Sequence, residues 1–502
     1  MLTVKGRDWL ERADVVIYDH LVSPRVLELC RQDARRIYVG KEQGAHTTGQ
    51  REINRLLIAE ASAGRQVVRL KGGDPTVFGR GGEEAWALAD AGVPFDIVPG
   101  VTSAVAAPAY AGIPVTHRAL SSSVAIVTGR DDIAKPEHAG RWDRLATAAD
   151  TLICLMGVGT LRATAQRLMR CGRAPSTPCA VVEWGTLPTQ RTVTGTLATI
   201  ADACRRAKIR PPATVIVGEV VRLRGRLNWF ERKPLFGRRI VVTRAADRAG
   251  ELIDQLVLLG ADVIAAPAIA QAPAHASPTV RRALEEMSTY QWVFFTSPEG
   301  VGWFERLLRQ QRRDLRVLRG CHLAAIGPKT AESLRQYGLH VDFTPTQYSQ
   351  EGLLDGLTRR RRLAGARALI VGAEQARDAL ERGLRAAGAD VQRMAVYRTV
   401  MPPSLTRRVR AVFREPVDLV TVTSSSCMEH LAQALQAAGL ARLVRRLRFA
   451  SIGPATSATV RRHRGRLAVE ASTSTIEGLV EAIVATIRRR RAAPRRTGQR
   501  GG

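Results

Sequence analysis

The chain has 502 residues, room for about three or four compact units at roughly 150 residues each. Apolar residues make up 45% and charged ones 24%, which excludes disorder over most of the length, and no run of about 18 apolar residues offers a membrane-spanning helix. Lys plus Arg is 76 against 46 Asp plus Glu, a net charge of +30, yet lysine occurs only at Lys5, Lys41, Lys71, Lys135, Lys208, Lys233 and Lys329. Arginine excess with scarce lysine and abundant alanine reads as codon composition rather than as a nucleic-acid surface. A positive surface still raises the encounter rate with a small polyanion. The start, MLTVKGRDWLERAD, lacks the basic-then-apolar order of a secretory signal. Seven cysteines form no CxxC pair, which fits neither a disulfide framework nor a zinc site. The expectation is a soluble cytoplasmic protein with reduced thiols and no metal.

In chain order, the first 226 residues alternate short apolar runs with helical patterns. ADVVIYD (13–19), RRIYVG (35–40), RQVVRL (65–70), FDIVPG (95–100), SVAIVTG (123–129), DTLICLMG (150–157), PCAVVEWG (178–185) and ATVIVGEVV (213–221) read as buried strands. Helical stretches at 50–63, 80–91, 159–170 and 197–206 lie between them, so this part reads as α/β with parallel pairing. NWFERKPLFG (228–237) breaks the pattern with aromatics, Pro, Gly and charges and reads as a linker.

RRIVVTR (238–244) restarts the alternation, and an internal repeat follows. FFTSPEGV (294–301) precedes AAIGPKTAESL (324–334); VTVTSSSCMEHL (420–431) precedes ASIGPATSATV (450–460). Thr296 to Gly327 is 31 residues and Thr423 to Gly453 is 30. Each pair is strand, Thr-Ser turn, helix, then strand, Ile-Gly-Pro turn, helix, with Pro suited to a helix's first turn. Two similar doubly wound lobes with a cleft between them would produce this. Arginine runs occur at 359–362 and in the tail 488–502, RRRRAAPRRTGQRGG, which reads as disordered and solvated, with contact to nucleic acid or acidic membrane as the alternative.

The most informative segment is VVRLKGGDPTVFGRGGEE (67–84). A buried strand ends in Gly72-Gly73-Asp74-Pro75. The glycines let backbone approach a ligand closely, and Asp74 can accept hydrogen bonds from an ammonium or a ribose. Strand carboxyl ends are where α/β sheets place ligands; a plain glycine-rich turn before a helix is the alternative. GxxxxGK[ST] is absent, so nucleoside-triphosphate chemistry has no support.

That segment, VPGVTSAVAAPAYAGIPVTHR (98–118), ADVVIYDHLVS (13–23) and IYVGK (37–41) resemble the uroporphyrinogen-III C-methyltransferases, of the tetrapyrrole methylase family. LMGVGTL (155–161), VVEWGTLPTQRTVTGTL (181–197) and RPPATVIVGEVVRLR (210–224) continue the match in order over residues 2–230. The resemblance implies two α/β subdomains with S-adenosylmethionine in the cleft between them, a homodimer, and methylation of two ring carbons of uroporphyrinogen III to give precorrin-2. It places Gly72, Gly73, Asp74, Val77, Thr102, Ser103, Met156 and Gly185 at the cofactor, with Ala213 lining it more loosely. The family's acid–base pair falls on Asp19 and Lys41. Asp19, at a strand's end, would take the proton released after methyl transfer; Lys41 would return one or hold a substrate carboxylate. The alternatives are a turn carboxylate and a surface lysine. His117 also lies in a motif and is assigned no role. One departure is that the family's first strand and Gly-Pro-Gly-Asp-Pro loop precede the segment matching LTVKG; the expectation is a start lying upstream, the alternative a crippled methyltransferase half.

Residues 238–487 resemble uroporphyrinogen-III synthase, on RRIVVTRAAD, FFTSPEGV, AAIGPKTAESLRQYGL, ALIVGAEQARDALERGLRAAGADVQRMAVYRT, TVTSSS and ASIGPATSATV in order. The resemblance implies two flavodoxin-like lobes joined by two crossing strands, with one lobe at about 238–271 plus 398–487 and the other at about 275–394. It implies closure of hydroxymethylbilane to uroporphyrinogen III with inversion of the last ring, without metal or cofactor. The residues themselves agree with this. No cluster suggests a nucleophile triad, while Thr-Ser turns at helix starts offer hydroxyls and free N–H groups to carboxylates. Thr296, Ser297, Gly327, Thr330, Thr423, Ser424, Gly453 and Thr456 are the candidate cleft residues, with ordinary helix capping as the alternative. Arg244, after the first strand, can pair with a carboxylate. Tyr397 reads as packing.

The expected architecture is therefore α/β throughout: a methyltransferase over 1–227, a linker over 228–237, a synthase over 238–487 and a tail. The expected activity is bifunctional, on the route to sirohaem or cobalamin. Two other readings stay open: synthase activity alone with a non-catalytic first half, and a tetrapyrrole-binding sensor.

Overall fold

The computed structural model describes residues 1–40, 49–129, 144–275, 277–347, 350–358, 363–375 and 378–492. These fall into two compact units. One comprises Met1–Arg238 with Leu256–Asp262, the other Arg239–Gln255 with the chain from Val263 onward.

Among the described residues the first unit carries two sheets. β1 (Val15–Tyr18), β2 (Arg35–Tyr38) and β3 (Val67–Leu70) are parallel in the order β2-β1-β3. Val15, Val16 and Ile17 of the central strand are at most 1% exposed, as a strand covered on both faces requires. Helix Gln50–Ser62 returns the chain from β2 to β3 and buries Ile53 and Leu57. The second sheet contains β4 (Val124–Thr128), β5 (Thr151–Leu155), β6 (Pro178–Glu183), β7 (Arg191–Thr196) and β8 (Ala213–Val217), in the order β4-β5-β8-β6-β7.

Two expectations are corrected here. FDIVPG forms no strand. The first sheet ends at β3, so no ladder runs beside residues 95–100, and Phe95 and Ile97 stay 44% and 42% exposed. Parallel pairing holds only in part. β4 and β5 are parallel, but β8 runs antiparallel to both β5 and β6, and the unexpected β7 antiparallel to β6.

Residues 228–237 fold back onto this unit. Trp229 Nε1 donates to Ala109 O at 3.0 Å, and Phe230 packs on Tyr110 with ring centroids 4.8 Å apart. Glu231 accepts from Gln190 at 2.9 Å, Thr192 at 2.7 Å and Arg224 at 2.5 Å.

Among the described residues the second unit has ten strands: β9 (Arg239–Val242), β10 (Asp262–Ala265), β11 (Ala270–Pro273), β12 (Trp292–Phe295), β13 (His322–Ala325), β14 (Arg367–Ala373), β15 (Asp390–Val400), β16 (Leu419–Val422), β17 (Arg448–Ser451) and β18 (Arg466–Glu470). They make two five-stranded sheets, β10-β9-β16-β17-β18 and β11-β15-β14-β12-β13. β11 and β15 pair antiparallel, Ala270 with Val400 and Pro273 with Tyr397, and carry the chain between the lobes. Both begin or end inside stretches expected for the first lobe, yet their ladder belongs to the second. Each sheet has its own core: Phe295, Val301 and Phe304 in one, Val422, Met428 and Phe449 in the other. Helix Ile476–Ala492 runs through residues 488–492, which were expected in a disordered tail; Leu479, Ile483 and Ile487 anchor it by burial. Residues 493–502 and 359–362 lie outside the described residues.

Candidate functional site

In the first unit the chemistry gathers where parallel strands end. Asp19 follows β1, and Gly72 follows β3 in the register Tyr18 to Leu70. A Cβ on Gly72 would stand 2.7 Å from Leu21 Cβ, so only glycine lets the two loops touch. Gly73 has φ +87°, the left-handed region that favours glycine. It lies over the start of helix Ser103–Tyr110: its Cβ would be 3.7 Å from Ser103 N. Gly100 approaches so closely that its Cβ would meet Gly73 O at 2.2 Å.

Asp74 braces these loops. Its Oδ1 accepts from Thr76 N at 2.8 Å and Thr76 Oγ1 at 2.6 Å, and its Oδ2 from Gly100 N at 2.9 Å. Burial pushes its carboxyl up, but the bonds from Thr76, Gly100 and Val77 outweigh that and hold it below the usual range. Thr102 caps the helix, accepting from Ala104 N at 3.3 Å. Val77 packs on the core made by that helix and the second sheet.

Met156 and Gly185 stand at one end of the second sheet, after β5 and β6. Ala213 opens β8 opposite Glu183, at the same end. Met156 has φ +57° and is 46% exposed. A Cβ on Gly185 would fall 2.4 Å from Ala107 Cβ. Burial pushes the neighbouring Cys154 thiol up to about 12, which removes it as a nucleophile. The cradle of glycines, the Ser103 N–H at a helix start and the exposed Met156 fit a nucleoside-bearing amino acid such as S-adenosylmethionine.

Asp19 Oδ1 accepts from Leu21 N at 3.0 Å, and its Oδ2 lies 3.4 Å from Arg69 Nη2. Lys41 lies outside the described residues. His117 forms a turn, its Nδ1 accepting from Ala119 N at 3.3 Å. Sequence reasoning missed Arg69, Lys71 and Glu84, which form a buried ion network beside Asp19. The signal was two cations within an otherwise apolar strand and its exit.

In the second unit the candidates collect in two groups. In one lobe β12 and β13 are parallel neighbours, which brings Thr296 and Ser297 beside Gly327. Ser297 caps helix Pro298–Gln310, accepting from Gly300 N at 3.0 Å, and its Oγ lies 3.2 Å from the Tyr397 hydroxyl. Tyr397 is 8% exposed and belongs to the lobe's core. Thr296 Oγ1 donates to Val371 O at 3.3 Å. Gly327 starts helix Pro328–Gln336, while Thr330 is turned inward at 2% exposure.

In the other lobe β9, β16 and β17 are parallel neighbours, which brings Arg244, Thr423, Ser424 and Gly453 to one sheet end. Ser424 accepts from Cys427 N at 3.2 Å; Thr456 is 5% exposed. Ser451 and Ser457 hydroxyls bond at 2.5 Å behind that turn. Arg244 is half-buried, with no hydrogen bond or ion pair among the described residues. Arg248, further along the same loop, pairs with Glu299 of the other lobe. Each lobe thus presents two helix N-termini, where partial positive charge favours anions.

The family model for Tetrapyrrole (Corrin/Porphyrin) Methylases matches residues 1–201, and that for Uroporphyrinogen-III synthase HemD matches residues 250–481. Over 489 residues the chain is 34% identical to the porphyrin biosynthesis protein HemD of Ruminiclostridium josui, spanning 96% of this chain and 95% of that protein. The chain belongs to the family in which a tetrapyrrole methylase and a uroporphyrinogen-III synthase are fused. It is also 41% identical over 341 residues to the uroporphyrinogen-III C-methyltransferase of Bacillus subtilis (strain 168), covering 68% of this chain and 70% of that one. Among solved structures, uroporphyrin-III C-methyltransferase of Thermus thermophilus complexed with S-adenosyl homocysteine is 42% identical over 44% of this chain and 93% of its own, with a TM-score of 0.38. Within this fusion family's two matched spans lie all the candidate residues except Ala213 and Arg244.

Proposed function

We propose that this chain performs two consecutive steps of tetrapyrrole construction: residues 238–487 close hydroxymethylbilane to uroporphyrinogen III, and residues 1–227 methylate that product twice to precorrin-2. The setting is the cytoplasm, as a homodimer through the methyltransferase half, on the route to sirohaem or cobalamin. The observation that carries the reading is the pairing on one chain of a glycine cradle beside Asp19 with a half-buried Arg244, unpaired among the described residues, beside helix N-termini.

When bound, S-adenosylmethionine supplies a methyl group on a positively charged sulfur. Gly72, Gly73, Asp74, Val77, Thr102, Ser103, Met156 and Gly185 would hold it and exclude water. Asp19 would take the proton that the ring releases once it carries the methyl group. Lys41 returns a proton or holds a substrate carboxylate. In the synthase half, Arg244 with Thr296, Ser297, Gly327, Thr423, Ser424 and Gly453 binds the carboxylates while water leaves and the last ring inverts; Thr330 and Thr456 are buried in the helices behind them. Fusion raises the local concentration of an unstable intermediate.

The test is product analysis from hydroxymethylbilane generated in situ, with S-adenosylmethionine present. Isomer III plus its dimethylated derivative is expected; isomer I alone overturns the synthase assignment. A second reading is synthase activity with a non-catalytic first half. Isomer III without methylation would establish it.

A further inference from the structure

Beside Asp19 lies a buried charge network that the methyl-transfer reading leaves unused. Glu84 sits in the first turn of helix Gly81–Asp90 and is 5% exposed. Its Oε1 alone accepts from Lys71 Nζ at 2.9 Å, Gln50 Nε2 at 3.2 Å and Arg69 Nε at 3.3 Å. Arg69 reaches on from there: Nη1 donates to Leu70 O at 2.9 Å and Ile17 O at 3.3 Å, and Nη2 lies 3.4 Å from Asp19 Oδ2. The side chains of Arg69 and Lys71 are only 13% and 10% exposed.

Among the described residues two carboxylates and two cations make the group neutral, which burial demands. The order of contacts gives it a direction. Among the described residues Asp19 touches one cation, Arg69. Glu84 touches both and sits furthest from water. The helix start beneath Glu84 favours its negative charge.

We propose that Glu84 is a positioning residue for methyl transfer: it fixes the Arg69 guanidinium, and Arg69 fixes the carboxylate of Asp19 at the sheet end. Glu84 itself touches neither substrate nor cofactor. The proposal rests on Asp19 being the proton acceptor. A loosened acceptor slows proton removal without changing how the cofactor is held, because misplacement by about 1 Å already costs up to about a hundredfold.

Glu84→Gln keeps the shape and removes the charge. The expected result is a fall in kcat for methylation of about tenfold or more, with S-adenosylmethionine affinity unchanged within about twofold and the unfolding temperature of the first unit retained. Combined with Asp19→Asn, Glu84→Gln adds no further loss, since both act through one group. Should Glu84→Gln alone unfold the unit, the charge-balanced pair Lys71→Met with Glu84→Gln removes one cation and one anion together; it still lowers kcat. Normal kcat in the folded single or paired variant overturns the proposal, as do losses that multiply with those of Asp19→Asn, or loss of cofactor binding in step with kcat. Normal turnover in Asp19→Asn alone overturns the acceptor assignment and this proposal together. Impaired Asp19→Asn beside normal Glu84→Gln overturns this proposal only.

Discussion

At the strand ends of the first unit four charged side chains meet, Asp19, Arg69, Lys71 and Glu84, with side-chain exposures of 21%, 13%, 10% and 6%. At the strand ends of the second unit the groups are Ser, Thr and Gly at helix starts, with Arg244 as the cation lacking an internal partner among the described residues. Under the proposed function the difference matches the two reactions. Moving a methyl group onto carbon leaves a proton that one placed base must accept, which suits a base locked into a buried network. Closing a polycarboxylate ring asks instead for many weak anion contacts that hold a flexible substrate while it rearranges itself. One unit concentrates its electrostatics in a few costly buried charges; the other spreads it over neutral dipoles.

That contrast breaks most visibly at Asp19. Asp19→Asn should lower methylation turnover by about a hundredfold or more, the usual weight of a placed base, with cofactor affinity kept and formation of isomer III unchanged. Near-normal turnover would make Asp19 a turn carboxylate and erase the distinction between the units. Arg244→Gln tests the other side. Losing a charged hydrogen bond to substrate, about 1.5–3 kcal/mol, should raise KM for hydroxymethylbilane about tenfold to a hundredfold, while methylation of supplied uroporphyrinogen III continues. If KM is unmoved, the helix starts alone carry the carboxylates.

Asp74→Ala sharpens the boundary between brace and ligand contact. It removes two hydrogen bonds from Thr76 and the one from Gly100 N that ties the Gly72–Gly73 loop to Gly100. S-adenosylmethionine should bind about tenfold more weakly, the equivalent of about 1.4 kcal/mol, with ring closure intact; unchanged methylation kinetics would sink the assignment.

How much of this was legible depends on how far apart in sequence the partners lie. The repeat of strand, turn and helix in the second half was readable because each cap is local: Ser297 meets Gly300 and Ser424 meets Cys427 three residues on. Apolar runs such as VVIY and TLICL announced buried strands for the same reason. FDIVPG has equal local promise and failed, because a strand exists only where another lies beside it. β7, RTVTGT, has weak local promise and formed, because β6 pairs with it along six residues. β8 runs against its neighbours, a direction no local pattern encodes. The linker at 228–237 hid its role as well: Glu231 is held by Gln190, Thr192 and Arg224. The Glu84 network was least readable, since Gln50, Arg69 and Glu84 come from three elements that only the fold brings together.

The smallest effect is a pH trend that should divide the units. The Asp74 carboxyl is held below its ordinary value of 3.8, despite burial, by hydrogen bonds to its charged form. A depressed carboxyl lends stability that is present above the unfolded-state value and lost as pH falls through the folded-state value. The loop brace therefore weakens only below that ordinary value, under about pH 4. Asp74→Asn should accordingly lie below the parent in unfolding temperature near neutrality and converge with it in acid. Ser297 caps its helix with a neutral hydroxyl, accepting from Gly300 N at 3.0 Å. Ser297→Ala should cost about 0.5–2 kcal/mol by an amount that does not change between about pH 7 and pH 3, because no proton is bound or released at the cap. Paired unfolding curves across that range measure both. A constant gap for Asp74→Asn would mean its hydrogen bonds do not depend on ionisation. A closing gap for Ser297→Ala would mean the second unit, too, rests on a titrating group near that turn.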